Sequence, residues 1–124
     1  MSGMKVLYVD DEEDIREIAG LALELDPDLD VKTVSSGAAA LKTAAEWQPD
    51  VILLDVMMPH MDGPTTLAQL RSRDATKQIP VIFITARAQP REIQDLKARG
   101  AVHVMTKPFD PMDLAPAVRR LMTR

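Results

Sequence analysis

The stretch VILLDVMMPHMDG, residues 51–63, decides the fold that this chain is expected to adopt. Its first four residues, 51–54, are apolar without a break, which is too short for a typical helix and typical of a strand buried on both faces. Asp55 follows directly, and the turn-forming segment 62–64 comes soon after. Asp55 is therefore predicted to stand where a core strand leaves the sheet. At that position it is a nucleophile, a metal ligand or a polar group that faces solvent.

Composition limits the classes of protein to consider. The chain has 124 residues, of which 46% are hydrophobic, so it is long enough for one domain with a sizeable core. Its net charge is −4, and no lysine and arginine cluster forms a basic stripe along the sequence, which argues against direct nucleic-acid binding. The lack of cysteine excludes disulfides and thiolate metal sites. With no membrane-length apolar run and no signal peptide, we expect a cytoplasmic protein without membrane association.

Outward from the central stretch, apolar runs alternate with helical patterns through the whole chain. The predicted strands comprise residues 5–9, 29–34, 51–54, 79–84 and 101–105. Each is followed by a segment with helical periodicity, and Pro27, Pro49 and Gly100 mark the ends of three of these segments. This alternation predicts an α/β fold, an open sheet of five parallel strands with five helices on both faces.

Two of the predicted helices carry informative details. The first has apolar residues at helical spacing, namely Ile15, Ile18, Ala22 and Leu25. The last contains Pro116, which would remove a backbone hydrogen bond and clash with the preceding turn if the helix began at Pro111. We therefore expect this helix either to start late, with Asp113 as its N-cap, or to bend near Pro116.

Polar side chains stand at the carboxyl ends of four predicted strands. They are Asp10 and Asp11 after the first strand, Asp55 after the third, Thr85 after the fourth and Lys107 after the fifth. Open α/β sheets bind ligands outside the carboxyl ends of their strands, so these groups are expected to converge in one crevice. Three carboxylates repel one another unless a cation is bound. Their hard oxygens, without histidine or cysteine nearby, favour Mg²⁺ over zinc.

This set of groups suits phosphoryl transfer. A carboxylate beside Mg²⁺ is a plausible nucleophile, because carboxylates form aspartyl phosphates. Such transfer depends mostly on positioning and charge neutralisation, which Mg²⁺ and Lys107 would supply, and the Thr85 hydroxyl can donate a hydrogen bond to a phosphoryl oxygen. The metal and the ammonium balance the charge of the three acids, so a near-neutral site can accept the added charge of an acyl phosphate.

These residues together resemble the receiver domain of bacterial two-component response regulators. The matching motifs are VLYVDDE at 6–12, ILLDVMMPHMDG at 52–63, FITA at 83–86 and TKPF at 106–109. The resemblance covers essentially the whole chain from Met4, and four motifs in order are far more specific than any one of them. It implies the architecture of the single-domain chemotaxis regulator, a flavodoxin-like fold with strand order 2-1-3-4-5.

The resemblance implies a role for each matched acid. Asp55 looks like the phosphoacceptor. Asp11, Asp55 and the Met57 backbone carbonyl look like direct ligands of Mg²⁺, with Mn²⁺ as an alternative, and Asp10 would act through water. Met57 and Arg87 fall at positions that tune the lifetime of the phosphorylated state in the family.

The remaining matched residues would contact the phosphoryl group or shape the loop. Thr85 looks like the switch hydroxyl, Ala86 like the small residue that leaves room for the phosphoryl group, and Lys107 like the phosphate-pairing lysine. We also expect a cis peptide bond between Lys107 and Pro108, because X-Pro bonds are the only kind for which cis costs little.

By resemblance, the chain is a phosphorylation-activated signalling switch over residues 1–124, without an output domain. Residues 1–3 are compatible with a cloning remnant. The donor would be a phosphohistidine on a sensor histidine kinase or a phosphotransfer protein. The domain would assist its own phosphorylation and dephosphorylation without a separate substrate, so it is not expected to be an enzyme. A downstream protein or a second copy would bind the face formed by helix 4, strand 5 and helix 5.

One position departs from the family. The family usually has Tyr or Phe three residues before the lysine, where this chain has Val104. A β-branched residue has few side-chain rotamers and little reach, so we expect the signal to pass mainly through the loop at residues 87–90. Two other functions are considered, a Mg²⁺-dependent phosphatase of the haloacid dehalogenase class and a phosphorylation-independent interaction module.

Several residues that could suggest other chemistry have simpler interpretations. His60 is expected to be an exposed loop residue, and His103 an ordinary surface residue. Three methionines, Met57, Met58 and Met61, are expected to fill gaps in apolar packing.

Overall fold

In the computed structural model, which describes residues 3–122, five strands alternate with five helices. The strands are β1 (Met4–Val9), β2 (Leu29–Val34), β3 (Val51–Asp55), β4 (Val81–Thr85) and β5 (His103–Thr106). The helices are α1 (Glu13–Glu24), α2 (Gly37–Trp47), α3 (Gly63–Arg71), α4 (Pro90–Ala98) and α5 (Leu114–Met122). Of the suspected cloning remnant, residues 1 and 2 lie outside the described residues. Within 3–122, no helix is both long enough and apolar enough to span a bilayer.

The strands form one parallel sheet in the order β2-β1-β3-β4-β5, which confirms the predicted fold. Every residue of β3 and β4 is buried, because helices cover both faces of the sheet at these positions. The β2 strand lies at an edge and is half-exposed, as its sequence predicts: Leu29 is buried, Val31 and Val34 are half-buried, and residues 30, 32 and 33 are exposed.

Alternate residues of each strand feed two separate apolar layers. Leu7 and Ile52 pack on the side covered by α2, α3 and α4. Tyr8 and Leu53, one residue further along, pack on the opposite side with residues of α1 and α5. This alternation encloses β1 and β3 from both sides, so the residues that follow them are held at the end of a rigid scaffold.

Two strands begin later than the sequence pattern indicates. The apolar run 79–84 includes Ile79 and Pro80, but the Ile79 N–H bonds the Thr76 carbonyl in the preceding loop, and β4 begins at Val81. The second strand to begin late is β5, which follows Gly100. This glycine has a φ of 114° and follows the end of α4, as predicted. The chain needs two more residues to return to the sheet, so β5 begins at His103 rather than at residue 101.

The apolar face predicted for α1 is confirmed at Ile15 and Ala22 but is wrong at Ile18 and at Leu25, which follows the helix. Ile18 and Leu25 are 53% and 68% exposed, whereas Ala19 and Leu23 are buried against the sheet. The cause is close packing, because a Cβ at Gly20 would lie 3.2 Å from a β2 side-chain methyl group. Small residues let the helix approach the sheet, and the larger apolar side chains are then turned outward.

Of the two alternatives predicted for the last helix, the late start is confirmed, but the side-chain cap of this segment is Asp110, which accepts from the Met112 N–H at 2.9 Å, rather than Asp113. A 3₁₀ turn at Pro111–Asp113 precedes α5, which begins at Leu114. Pro116 therefore lies in the first turn of the helix, where backbone N–H groups have no partner within the helix. The missing N–H of this proline costs no helical hydrogen bond there.

An ion-pair cluster connects α5 to the loop between α1 and β2. Arg119 pairs with Asp26, and its Nη2 lies 2.6 Å from an Asp26 oxygen and 2.7 Å from an Asp28 oxygen. The hydrogen bonds from Arg119 and from the Asp28 N–H lower the pKa of Asp26 to about 2. The cluster thus holds α5 against the loop that follows α1.

We expect Arg119→Ala to lower the urea midpoint of unfolding at pH 6. The folded-state pKa of Asp26 lies below its unfolded value, so the pair contributes stability that is fully present above pH about 4 and is lost as the pH falls through about 2. The difference between the variant and the wild type should therefore shrink over this range. Arg120→Ala, on the same helix, is the matched control, and an equal effect in both variants would contradict the assignment.

Candidate functional site

The carboxyl ends of four adjacent strands meet at one edge of the sheet. Strands β1, β3, β4 and β5 are neighbours in that order and run parallel, with β5 at the edge of the sheet. Their register places Asp55 beside Ile84, and Thr85 beside Thr106. The predicted polar residues therefore come together because the sheet order and register bring distant parts of the chain to the same edge.

Lys107 occupies the centre of this edge. Its Nζ lies 3.2 Å from Asp10, 3.3 Å from Asp55 and 3.7 Å from Glu12, and its side chain is only 14% exposed. The Lys107 N–H also donates to the Thr85 carbonyl at 2.7 Å, which ties the loop after β5 to the end of β4. The peptide bond between Lys107 and Pro108 is cis, as predicted.

Asp10 is fully buried, and hydrogen bonds satisfy both of its oxygens. The Tyr8 hydroxyl donates to one oxygen at 3.1 Å, and the Glu12 N–H donates to the other at 3.0 Å. Arg16 donates to the Asp10 carbonyl at 2.8 Å. These contacts hold Asp10 in one orientation against the lysine.

The sequence analysis did not identify Tyr8 or Glu12 as site residues. Burial, and then the charge of Asp10, hold the pKa of Tyr8 far above its usual range, so the phenol stays a neutral donor. The spacing could have indicated this contact, because residues two apart in a strand point to the same face.

Asp55 is a buried carboxylate with an altered affinity for protons. Burial and then the charge of Asp10 raise its pKa to about 6, although Lys107 acts in the opposite direction. For Lys107, burial disfavours the charged form, but attraction by Asp55 and Asp10 outweighs it and raises the lysine pKa. The Met57 N–H lies 3.4 Å from Asp55, while the role expected for the Met57 carbonyl remains a prediction.

The three acids fit a hard divalent cation. One carboxylate oxygen from each of Asp10, Asp11 and Asp55 lies within 4.8 Å of the others. Asp11 is exposed, so the cluster is open to solvent on one side. Lys107 alone cannot balance three carboxylates, and the remaining negative charge together with oxygen donors suits Mg²⁺ or Mn²⁺.

Thr85 is buried and bound to the loop that follows it. Its Oγ accepts a hydrogen bond from the Arg87 N–H at 3.0 Å. The Arg87 side chain in turn pairs with Glu92 of α4 at 2.9 Å. The hydroxyl at the end of β4 is thus connected to α4 by two consecutive polar contacts.

An apolar groove of about 390 Å³ opens beside the site. The exposed Ala86 and the side chain of Lys107 are part of its lining. Its apolar walls come from α1 and from the segment after β5, namely Ile15, Ile18, Pro108, Phe109 and Pro111.

The loop between β3 and α3 packs tightly against the end of β3. Asp62 caps α3 by accepting from the Thr65 N–H at 2.8 Å. A Cβ at Gly63 would lie 2.6 Å from the Asp55 carbonyl oxygen, so only glycine allows this approach. His60 is exposed, as predicted, and has a φ of 69°. Met57 is 65% exposed, which shows that the packing role predicted for it was wrong.

The other two methionines and the second histidine lie apart from these acids. Met58 belongs to the apolar layer on the α2 side, and Met61 packs against that layer, as predicted for gap-filling residues. His103 is half-buried at the first residue of β5, at the opposite end of that strand from Lys107, and burial lowers its pKa.

Comparison with known proteins identifies one family. The model of the response regulator receiver domain matches residues 6–119. The DNA-binding dual master transcriptional regulator RpaA of Synechocystis is 36% identical over 121 residues, which cover 97% of this chain and 49% of that protein. The response regulator PleD of Caulobacter vibrioides is 42% identical over 120 residues, which cover 94% of this chain and 26% of that protein.

One solved structure is similar to this chain over nearly the full length of both proteins. The chemotaxis response regulator CheY4 of Vibrio cholerae is 34% identical and superposes with a TM-score of 0.88, covering 97% of this chain and 99% of that chain. By contrast, the chain spans about half the length of RpaA and about a quarter of the length of PleD.

We expect Gly63→Ala to lower the free energy of unfolding by about 1–3 kcal/mol, because the new methyl group would overlap backbone atoms that cannot move aside. Urea denaturation measures this loss. Gly20→Ala is the control, since its new methyl group would meet only a side-chain methyl at 3.2 Å. A smaller loss for Gly63→Ala than for Gly20→Ala would contradict the close approach.

Proposed function

Because this chain belongs to the response regulator receiver domain family, we propose that it is a two-component signalling switch that accepts a phosphoryl group on Asp55. The observation that carries the proposal is the buried Asp55 carboxylate at the end of β3, 3.3 Å from the Lys107 ammonium and beside two further acids. Such a site can neutralise the charge of a transferred phosphoryl group at the edge of the sheet.

In the proposed reaction, an Asp55 oxygen attacks the phosphorus of a phosphohistidine on a sensor kinase or phosphotransfer protein. The O–P bond forms as the N–P bond breaks, and the imidazole nitrogen keeps the electron pair. Lys107 neutralises charge on the phosphoryl oxygens, and the Thr85 hydroxyl and the space above Ala86 receive the group. A Mg²⁺ held by Asp11, Asp55 and the Met57 carbonyl, with Asp10 acting through water, would add positive charge at the same place.

The product is a mixed anhydride that water can hydrolyse, which returns Asp55 to its carboxylate. Met57 and Arg87 flank the site, and we propose that they tune how long the phosphoryl group persists. Proteins of this family act as signalling switches rather than as enzymes with separate substrates. The haloacid dehalogenase-type phosphatase considered from the sequence therefore has no support.

The apolar groove beside the site suits the phosphodonor protein. Ile18 of α1 is 53% exposed, and Phe109 and Pro108 line the opposite wall. Lys107 lines the groove and lies 3.3 Å from Asp55, so a protein that packs apolar side chains there would bring its phosphohistidine near Asp55.

The output signal is proposed to leave through α4. When the Thr85 hydroxyl moves toward the phosphoryl oxygens, its 3.0 Å hydrogen bond from the Arg87 N–H is lost. Arg87 is paired with Glu92, so the change reaches the first turn of α4 directly. Val104 is buried in the apolar layer beneath α4 and has no ring to turn inward. The phosphorylation-independent module is disfavoured because Asp55, Thr85 and Lys107 are all present, and Lys107 contacts both of the others.

We expect incubation with acetyl phosphate or phosphoramidate and Mg²⁺ to add one phosphoryl group, seen as one mass increment of the intact protein. Asp55→Asn keeps the shape of the side chain but removes the nucleophile, so the increment should disappear. Asp74→Asn, at an exposed carboxylate outside the site, is the control and should label as the wild type does. Labelling of Asp55→Asn at the wild-type rate would show that another residue is the acceptor.

We expect Mg²⁺ to bind before phosphorylation, with an affinity that falls by about tenfold or more in Asp11→Ala. The substitution removes a hard oxygen ligand from the open side of the acidic cluster. Isothermal titration calorimetry measures the affinity, and Asp14→Ala, at an exposed acid on α1, controls for the loss of charge alone. Equal affinities for Asp11→Ala and the wild type would exclude Asp11 as a ligand.

We expect beryllofluoride with Mg²⁺ to shift the amide NMR signals of residues 87–90 more than that of Val104, because the hydrogen bond from Arg87 to Thr85 must change first. In Glu92→Gln, which weakens the ion pair, the shifts in α4 should decrease while those in the loop persist. A rearrangement centred on Val104 would instead support a route through β5.

A further inference from the structure

One oxygen of the buried Asp10 carboxylate accepts hydrogen bonds from two donors of different kinds. The Tyr8 hydroxyl donates to Asp10 Oδ2 at 3.1 Å, and the Lys107 ammonium donates to the same oxygen at 3.2 Å. The second oxygen, Oδ1, accepts from the Glu12 backbone N–H at 3.0 Å. Lys107 also lies 3.3 Å from Asp55, so one ammonium serves two carboxylates, whereas the single proton of the Tyr8 hydroxyl is committed to Asp10.

The two donors to Asp10 Oδ2 differ in their freedom to move. Tyr8 is fully buried, and its ring packs in the apolar layer that contains Leu23 of α1 and Leu114 of α5. A ring held in such close packing has little room to change its rotamer. The Lys107 ammonium, by contrast, stands at the end of a flexible four-carbon chain. Tyr8 is therefore the fixed donor and Lys107 the mobile one.

The proposed phosphoryl transfer requires Lys107 to move. Its ammonium must turn toward the phosphoryl oxygens on Asp55, which weakens its contact with Asp10. Asp10 is 0% exposed, so water does not readily replace a donor that leaves. A buried charged oxygen without a donor is costly, and this cost would oppose the movement of the lysine.

We propose that Tyr8 is a positioning residue that frees Lys107 for the phosphoryl group, because its hydroxyl keeps Asp10 Oδ2 hydrogen-bonded when the ammonium turns toward Asp55. The inference rests on the proposed function and gives a role to a residue that does not touch the transferred group. Without the hydroxyl, Asp10 would hold Lys107 more firmly. The phosphorylated state should then lose stability, while binding of the metal ion should not.

The test uses Tyr8→Phe, which removes the hydroxyl and keeps the ring. With Mg²⁺ saturating, we expect the affinity for beryllofluoride, followed by amide NMR, to fall by about tenfold, since one hydrogen bond to a charged group is lost in that state. The rate of phosphorylation by phosphoramidate should fall with it. The affinity for Mg²⁺ alone, measured by calorimetry, should change by less than about twofold. The reason is that Glu12 and Lys107 still hold Asp10 before phosphorylation.

Thr76→Val is the matched control. It also removes a buried hydroxyl, which donates to the Leu70 carbonyl at 2.7 Å in the loop before β4, at the opposite edge of the sheet. This variant should lower the urea midpoint of unfolding and leave the affinity for beryllofluoride unchanged. If Tyr8→Phe lowered the affinities for Mg²⁺ and beryllofluoride equally, the role of Tyr8 would be merely structural. If it lowered neither, the hydroxyl would have no part, and either result overturns the proposal.

A spectroscopic signal separates the proposed role from packing. Tyr8 is the single tyrosine of the chain, so labelling with 3-fluorotyrosine gives one fluorine NMR resonance. We expect this resonance to shift when beryllofluoride is added to the Mg²⁺-loaded protein. Lys107→Gln should shift it in the same direction without beryllofluoride, because both changes take the ammonium from Asp10. A resonance that responds to neither change would overturn the proposal.

Intact-mass phosphorylation of the same samples keeps the two proposals separate. A wild type that gains no phosphoryl group would refute the proposed function. A wild type that is labelled, together with Tyr8→Phe labelled at the same rate, would refute the role of Tyr8 alone.

Discussion

The contacts of the Lys107 ammonium with Asp10 and Asp55 are the interaction on which the site depends. Two carboxylates buried at the ends of neighbouring strands repel each other, and each loses hydration on burial. A single ammonium 3.2 Å from one and 3.3 Å from the other offsets part of both costs. The lysine reaches this position because its N–H is bonded to the end of β4, so backbone and side chain act together.

The two acids that contact Lys107 differ in how many hydrogen bonds they accept. Asp10 is bound on all sides by Tyr8, Glu12 and Lys107, which makes it a fixed part of the site. Asp55 accepts fewer hydrogen bonds, and its raised pKa reflects a carboxylate that is only partly stabilised. A nearby cation would therefore stabilise the charged carboxylate of Asp55. Once that charge is balanced, addition of a phosphoryl group costs less electrostatic free energy.

Two features adjoin the acidic edge from different elements. The apolar groove formed by α1 and the segment after β5 includes Lys107 in its lining. At the end of β4, the buried Thr85 is joined to α4 through Arg87 and Glu92. In the proposed function, the groove would receive the phosphodonor protein and the contacts of Thr85 would carry the change away, so the two steps use different residues.

The sequence alone determined the strand–helix alternation, the parallel sheet and the polar residues at the strand ends, because apolar periodicity and motif spacing are local properties. It also offered the late start of α5 as one of two alternatives, since the backbone constraint of Pro116 is local. Tertiary structure decided the outward orientation of Ile18 and Leu25, the contact of Tyr8 with Asp10, and the pairing of Arg119 with Asp26 and Asp28. These depend on how closely helices pack against the sheet and on which distant residues share a face, which no local pattern specifies.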